Sequence, residues 1–264
     1  MVMSMGTEME MNGEQDQKGK GLNSNQLKVI AIAAMTIDHV IAVVLPNYPT
    51  QWWILLCHII GRLTAPIMWF FIAEGYYYTH DRIKYASRLF LFAFISHFAY
   101  NFAFGIPFIP FKTSVFNQTS VIWSLAWGLV ALMIVNSAGL KEGIKTISLI
   151  GICLLTFCSD WSCIAVMAIV FIGTNRGNFK RQMEWMMFWA AIYAFVYILF
   201  INRIYGVIQL FVALTIPLLK NYNGERGKWR GMKWFFYLYY PLHLFICGVI
   251  RILLHGNIGV MIGG

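Results

Sequence analysis

Two adjacent ionisable residues, Asp38 and His39, lie inside an apolar stretch, LKVIAIAAMTIDHV, at residues 27–40. A histidine titrates near neutral pH, and a neighbouring aspartate can orient its ring, so the pair suits a general base. Arg62 lies in a second apolar stretch, WWILLCHIIGRLTAPIMWFF. At about 1.5 Å per helical residue, Asp38 and Arg62 each lie about 15–17 Å into a bilayer. Since a lone charge there costs at least about 2.5–3.5 kcal/mol, we expect both to face a bundle interior.

Other polar residues occur at related depths in the apolar stretches, namely His58, His97, Asn101 and His243. A single histidine in a span is commonly an interhelical hydrogen bonder, and we favour that interpretation for His58 and His97. We expect Asp38, His39, Arg62 and His243 to converge on one polar cavity. A pair of Asp38 and Arg62 that only fixes helix packing is the alternative.

A cation precedes the predicted base along one helix face. Lys28 and His39 are eleven positions apart, close to three helical turns, so they share a face with the lysine at its inner end. This arrangement predicts a tunnel for an anionic substrate. Arg88, also close to a helix end, is the second residue that we expect at a phosphate. We also expect Glu74, near the inner end of the second apolar stretch, at the cofactor site.

These residues must be positioned by membrane helices. The chain is 59% hydrophobic and 12% charged, whereas soluble domains are about 25% charged. The apolar stretches predict an all-α, polytopic transmembrane bundle of about 9 (8–10) spans; they are residues 27–45, 52–78, 83–109, 119–136, 146–158, 161–173, 184–202, 204–219 and 234–254. The fifth and sixth are short, so FCSDWSC between them is either a tight outer turn or a break within one re-entrant element.

The basic residues predict the orientation of the chain. With a cytoplasmic N-terminus, sixteen of the 20 Lys and Arg residues fall in inner segments, as expected for a multi-pass protein of the plasma membrane. This asymmetry accounts for most of the +9 charge without nucleic acid. We expect residues 1–26 to be a disordered cytoplasmic tail and residues 27–264 to be a single domain. The five cysteines show no metal-ligand spacing, so no metal is predicted.

Three segments together resemble the TraX family. They are LKVIAIAAMTIDHV, GRLTAPIMWFFIAEGYYYTHDRIKYASRLFLFAFISHFAYN and KWFFYLYYPLHL, and the resemblance covers about residues 27–250. The named member of the family acetylates the N-terminus of F-type conjugative pilin. The family is similar to acyltransferase-3 proteins, in which ten residues separate a basic residue from a histidine, as Lys28 and His39 are separated here.

The resemblance implies matches for Asp38 and His39, for Arg62 and Pro66, for Glu74 and Gly75, and for His243. The chain departs from the family pattern at two places. Ser120 and Ser124 stand where Asn and Thr are frequent, and SDWS at residues 159–162 keeps the aspartate but not the glycine of an Asp-Tyr-Gly turn. We expect both departures to face the acceptor.

The chemistry that fits is acetyl transfer from cytosolic acetyl-CoA to an amine or hydroxyl acceptor, either a peptide N-terminus or a glycan. Lys28 and Arg88 would hold the phosphates, His39 would be the base and Asp38 would orient it. Arg62 would stabilise the oxyanion or hold Asp38. A proton-coupled transporter using the same buried charges is the alternative, although the sequence has no evident internal repeat. The acceptor and a homodimeric assembly both stay open.

Overall fold

A computed structural model describes residues 21–109, 112 and 115–259. These residues confirm the all-α class. The helices are α1 (Ser24–Val44), α2 (Trp52–Gly61), α3 (Thr64–Tyr78), α4 (Arg82–Phe104), α5 (Val121–Val135), α6 (Glu142–Thr156), α7 (Ser162–Thr174), α8 (Phe179–Phe200), α9 (Arg203–Gln209), a 3-10 turn (Leu210–Leu214), α10 (Thr215–Lys220) and α11 (Met232–His255).

The start of α1 is fixed by its capping residues. The side chain of Asn23 accepts a hydrogen bond from the backbone of Gln26, whose side chain accepts one from the backbone of Asn23. This capping box satisfies two backbone donors that a helix start leaves unpaired. Helix α1 therefore begins at Ser24, inside the segment predicted to be a tail, and residues 1–20 of that tail lie outside the described residues.

Arg62 lies at a break between α2 and α3. Pro66 occupies the first turn of α3, where its ring excludes a helical hydrogen bond to the carbonyl four residues earlier, that of Arg62. The backbone of Arg62 instead closes the end of α2 by bonding the carbonyls of His58 and Ile59. The proline thus explains why the long apolar stretch folds as two helices that meet at the arginine.

Five helical segments are long and apolar enough to cross a membrane, within the part of the chain that the structure describes. They are Ser24–Val44, Trp52–Tyr78, Phe179–Phe200, Arg203–Lys220 and Met232–His255, while Val121–Val135 and Ser162–Thr174 are shorter apolar helices. Large apolar side chains such as Leu91, Phe94, Phe195, Leu238 and Phe245 are exposed along the bundle, which suits contact with lipid. The helices indicate a membrane protein, and the count of about nine spans stays a prediction.

Helices α6 and α7 are too short to span a bilayer as a pair of full crossings. At about 1.5 Å per residue they extend about 22 and 20 Å, against about 30 Å of hydrocarbon. In the turn between them, residues 158–161 are buried. The turn hydrogen bonds to the segment before α5, through Gln118 N to Cys158 O at 2.6 Å and Asp160 N to Thr119 O at 2.9 Å. The turn is therefore packed inside the protein, and the choice between an outer turn and a re-entrant element stays a prediction.

Helix α3 is the centre of the bundle. It packs against α1, α5 and α7, and eleven of its 15 residues are buried. Helix α11 packs against α1 and α4, and its residue Tyr240 lines the same cavity as residues of α1 and α3. The break before α3, the middle of α1 and the middle of α11 consequently meet in one place.

Candidate functional site

A small internal cavity lies where α1, α3, α5 and α11 approach the turn at residues 157–161. Its volume is about 40 Å³. The polar groups on its wall belong to Asp38, His39, Arg62, Asp160 and Tyr240. The remaining lining residues are Met35, Gly61, Thr64, Ala65, Met68, Val121 and Trp161. Polar groups at the middle of an otherwise apolar bundle are the pattern expected of a functional site in a membrane protein.

Asp38 and Arg62 form the predicted buried ion pair. Arg62 Nη2 donates to both carboxylate oxygens of Asp38, at 3.0 and 2.9 Å, and both side chains are almost fully buried. His58 Nδ1 lies 2.8 Å from Asp38 Oδ1. Arg62 also donates from Nε to the carbonyl of His58 and from Nη1 to Gln209 Oε1, at 3.1 and 2.9 Å. The carboxylate is therefore paired with a guanidinium and hydrogen-bonded to an imidazole, and the guanidinium is anchored on three sides.

Gly61 allows this close approach of α2 to α1. A Cβ atom at Gly61 would lie 2.5 Å from the Cβ, Cγ and Oδ1 atoms of Asp38. Backbone-to-side-chain packing at this distance excludes every residue larger than glycine unless the helices separate. The glycine before Arg62 thus sets the distance at which the ion pair forms.

His39 is held by His243 rather than by Asp38. His39 Nδ1 and His243 Nε2 are 2.8 Å apart, and the two rings are nearly parallel, with an interplanar angle of 4°. His243 Nδ1 lies 3.0 Å from the carbonyl of Tyr239. A carbonyl only accepts, so Nδ1 of His243 carries a proton and Nε2 of a neutral His243 accepts one from His39 Nδ1.

This chain of hydrogen bonds fixes the tautomer of His39. With its proton on Nδ1, a neutral His39 has a lone pair on Nε2, and Nε2 has no hydrogen-bond partner among the described residues. An unprotonated ring nitrogen on a cavity wall, oriented by a second residue, has the arrangement of a general base. Our prediction that Asp38 orients His39 is wrong, because the carboxylate of Asp38 points to Arg62 and His58.

Asp160 is a member of the site that we did not predict. We treated SDWS as part of a turn of uncertain position, and the structure brings the Asp160 carboxyl group onto the same cavity wall as His39 and Arg62. The signal in the sequence was the shortness of the stretches at 146–158 and 161–173. Gln209, the partner of Arg62, was also missed, since an amide in an apolar stretch carries no distinctive pattern.

The two departures from the family pattern meet in space. Ser124 Oγ lies 2.6 Å from Ser159 Oγ and 3.1 Å from the carbonyl of Asp160. A serine on α5 therefore pins the buried turn that carries Asp160. The two departures therefore adjoin each other beside the cavity, and our expectation that they face the acceptor stays a prediction.

Lys28 lies in a group of four cations at one end of the bundle, the basic cluster, which comprises Lys28, Arg88, Arg226 and Lys233. Lys28 Nζ lies 5.1 Å above the ring of Phe71, and the Arg88 guanidinium lies 6.0 Å from the ring of Tyr85. Arg226 is close enough to repel both Lys28 and Lys233. Within the described residues no carboxylate forms an ion pair with any of the four.

Glu74 does not join the basic cluster. Its carboxylate accepts hydrogen bonds from Arg176 Nε at 3.0 Å and from Nη2 at 3.3 Å. The Arg176 guanidinium lies over the rings of Tyr77 and Tyr78. Glu74, Tyr77, Arg176 and their neighbours line a surface recess of about 450 Å³. The ion pair gives Glu74 a partner within the protein, so a direct contact with an anionic cofactor is not what the geometry favours.

His97 has the structural role that we favoured for it. Its Nδ1 lies 3.0 Å from Thr119 Oγ1 and its Nε2 lies 2.8 Å from the carbonyl of Phe108. Both ring nitrogens are therefore engaged, and they tie α4 to the segment that precedes α5. His97 is a useful contrast to His39, which keeps one nitrogen unengaged among the described residues.

Comparison with known proteins agrees with the resemblance seen in the sequence. A family model described as TraX protein matches residues 23–251. A relative from Dichelobacter nodosus, described as probable fimbrial assembly protein FimC, serogroup H1, is 29% identical over 231 residues, which are 83% of this chain and 91% of the relative. No solved structure matches the chain.

Proposed function

This chain belongs to the TraX family, and on that premise we propose that it is an integral membrane acyltransferase that moves an acetyl group from acetyl-CoA to an amine or hydroxyl acceptor. The observation that carries the proposal is the lone pair on His39 Nε2, fixed on a polar cavity wall by His243. The relative named for fimbrial assembly makes a component of a surface filament a reasonable acceptor. The protein would lie in the plasma membrane, with the basic cluster at the cytosolic face.

The proposed step begins with His39. Its Nε2 takes a proton from the acceptor nitrogen or oxygen as that atom attacks the thioester carbonyl. The new bond to the acetyl carbon forms, the carbon–sulfur bond breaks, and the CoA thiolate leaves and receives a proton. His243 supports the developing imidazolium by accepting the hydrogen bond from His39 Nδ1, the role that a third group has in acid–base constellations.

Arg62 fits the role of holding Asp38 better than that of a dedicated oxyanion donor. Its Nε, both N–H groups of Nη2 and one of Nη1 are already used by His58, Asp38 and Gln209. One N–H of Nη1 stays available to an oxyanion. Because Asp38 balances the charge of the guanidinium, Arg62 would stabilise a negative transition state mainly through that N–H group.

The basic cluster fits the phosphates of acetyl-CoA. Lys28 and His39 are eleven residues apart on α1, or about 16 Å along the axis, a distance that the pantetheine arm could cover. Cations without carboxylate partners suit phosphate groups, which offer several acceptor oxygens. The four residues come from α1, α4, the segment before α11 and the start of α11, so phosphate binding would also tie these elements together.

The cavity must widen for the reaction. Its volume of about 40 Å³ has room for about one water molecule, which is less than an acetyl group and an acceptor need. Substrate-induced opening is common where an active site excludes water. The break between α2 and α3 is the position at which the central helices could separate without breaking a continuous helix.

The test of the proposal is acetyl transfer by the purified protein in detergent or nanodiscs. Radiolabelled acetyl-CoA is supplied with a synthetic peptide that has a free N-terminal amine and a serine. His39→Ala should lower transfer by roughly 10²–10⁴, the usual contribution of a positioned base, with acetyl-CoA affinity unchanged. His97→Ala, a change to a histidine outside the cavity, is the matched control. Full transfer activity in His39→Ala would overturn the assignment.

A second experiment tests the phosphate site. Lys28→Ala and Arg88→Ala should weaken acetyl-CoA binding in a titration more than they slow transfer at saturation, because their side chains would act on phosphates far from the thioester. Lys84→Ala, at an exposed ion pair one turn from Arg88, is the control. Unchanged acetyl-CoA affinity in the Lys28 and Arg88 variants would indicate that the phosphates bind in the recess beside Arg176 instead.

A proton-coupled transporter is the second candidate. The hydrogen-bonded chain from His39 through His243 to the carbonyl of Tyr239 is the observation that favours it, since such chains also relay protons across membranes. A transporter predicts substrate accumulation in proteoliposomes that depends on a pH gradient, together with no acetylated product. The transfer assay above therefore separates the two candidates.

A further inference from the structure

Asp160 is a buried carboxyl group that the proposed mechanism does not use. The residue is 7% exposed, and it lines the same cavity as His39. Its Oδ1 atom is buried and has no hydrogen-bond partner among the described residues. The carboxyl group also interacts with the backbone N–H of Trp161, is attracted to Arg62 at longer range and is repelled by Asp38.

An unpartnered buried carboxylate oxygen is costly unless a ligand supplies a donor. Leaving such a group unsatisfied removes its hydration without replacement. Water can satisfy it in the resting protein, because the cavity has room for about one molecule. Any acceptor that displaces this water must bring its own N–H or O–H group to Asp160.

The charges around the cavity favour a cationic donor. Asp38 is paired with Arg62 and hydrogen-bonded to His58, whereas no cation lies within ion-pair distance of Asp160 among the described residues. With His39, His58 and His243 in neutral tautomers, the site has two carboxyl groups and one guanidinium. An ionised Asp160 therefore leaves one negative charge uncompensated, which attracts a positive charge in a low-dielectric site.

The backbone of the turn fixes the position of this carboxyl group. Trp161 and Ser162 adopt φ values of 60° and 48°, a left-handed region that side-chain-bearing residues rarely occupy. The turn is held there by the hydrogen bonds of Asp160 N to Thr119 and of Ser124 Oγ to the carbonyl of Asp160. Trp161 is enclosed by the rings of Trp69 and Tyr193. Asp160 is thus presented to the cavity from a constrained backbone, as binding groups often are.

We propose that Asp160 binds the acceptor and makes the site selective for an amine over a hydroxyl. The inference rests on the proposed acyl transfer. The acceptor enters as an ammonium that donates to Asp160 Oδ1 and loses a proton to water as the cavity closes. The resulting amine attacks the thioester, His39 takes the second proton from nitrogen, and Asp160 keeps accepting the remaining N–H. A carbon–nitrogen bond forms, the carbon–sulfur bond breaks, and the thiolate leaves.

The experiment compares Asp160→Asn with the unchanged protein on two acceptors. One is a synthetic peptide with a free N-terminal amine and no other nucleophile, and the other is the same peptide with that amine replaced by a hydroxyl. In the unchanged protein the amine peptide should have the higher kcat/KM. Asp160→Asn keeps the size of the side chain and removes its charge, so it should raise KM for the amine peptide at least roughly 10-fold and leave acetyl-CoA affinity within about twofold.

Two further measurements separate a binding role from a structural one. Asp160→Glu, which restores the charge, should recover part of the amine selectivity. Asp81→Asn, an exposed carboxylate at the start of α4, should change none of these quantities. Unchanged KM for the amine peptide in Asp160→Asn, or a loss of thermal stability with selectivity intact, would overturn the inference and leave acyl transfer standing. Absence of acetylated product with the unchanged protein would instead overturn the proposed function itself.

Discussion

Replacing Asp38 with asparagine should destabilise the protein strongly, because it leaves the Arg62 guanidinium buried without its counter-ion. Arg62 is 2% exposed, so water cannot replace the carboxylate around most of its guanidinium. Asparagine keeps the shape of the side chain and can still accept one hydrogen bond from Nη2. The change therefore removes charge and leaves packing largely unaltered.

The magnitude follows from the geometry. At the 2.9 Å separation of Nη2 and Oδ2, an effective dielectric constant of about 20 gives an attraction of about 6 kcal/mol. Desolvation of the two ions offsets several kcal/mol each, so the pair as a whole contributes little net stability. Breaking it from one side is different, since the cost of burying the remaining ion is no longer offset. We expect Asp38→Asn to lower the free energy of unfolding by about 3–5 kcal/mol.

The assay is reversible unfolding by sodium dodecyl sulfate in mixed micelles, followed by helical circular dichroism. Arg62→Met, which leaves the carboxylate unpaired, should cost a similar free energy. The double variant should be no less stable than the worse single variant, because both ions are then removed together. Asp81→Asn is the matched control, since its ion pair with Lys84 is exposed and asparagine caps a helix as well as aspartate does.

The reasoning fails if the unfolding midpoint of Asp38→Asn coincides with that of the control. It also fails if the losses from Asp38→Asn and Arg62→Met simply add in the double variant, since additive effects would mean that the two side chains do not interact. Either result would show that water or another anion reaches Arg62 in the folded protein.

Three other changes test neighbouring features. Gly61→Ala should lower the free energy of unfolding by about 1–3 kcal/mol, because its Cβ would overlap Asp38. Gly151→Ala is the control: the space around Gly151 is open, so this change should be neutral or stabilising by up to about 1 kcal/mol in the same assay. His243→Phe should lower the rate of acetyl transfer roughly 10-fold or more, within the contribution of a positioned base. His243→Gln should recover part of the rate, because the amide oxygen can accept a hydrogen bond from His39. Equal rates in the two variants would contradict the assigned tautomer. Glu74→Gln should leave the KM for acetyl-CoA unchanged, because Glu74 pairs with Arg176 away from the basic cluster. A several-fold change in KM would indicate that the phosphates bind in the recess beside Arg176.

The cost of burying charge made part of the site predictable. Asp38 and Arg62 had to be close together because neither is tolerated alone at mid-membrane depth, and the ion pair confirms it. The eleven-residue separation of Lys28 and His39 gave their shared face on α1 in the same way, from helical periodicity. Each conclusion needs only the residue types and their spacing within one helix, and both can be read from the sequence.

Partner choice across helices was not predictable in the same way. Asp38 is adjacent to His39 in sequence, yet neighbours on a helix project about 100° apart, so the carboxylate and the imidazole turn to different helices. The partner of His39 is on α11, 204 positions away, and that of Arg62 Nη1 is Gln209. Asp160 depended on a turn that re-enters the bundle, and only the shortness of two apolar stretches hinted at it.

A membrane that stores energy as a proton gradient cannot tolerate a continuous file of water across it. The cavity beside His39 holds about one water molecule, and the side chains of Met35, Met68 and Val121 close its apolar walls. In the proposed transfer, a donor that arrives from one face and an acceptor that arrives from the other would therefore have to reach His39 without both passages being open together. The narrowness of the resting cavity would then prevent proton leakage between turnovers and would tie the order of substrate arrival to the integrity of the gradient.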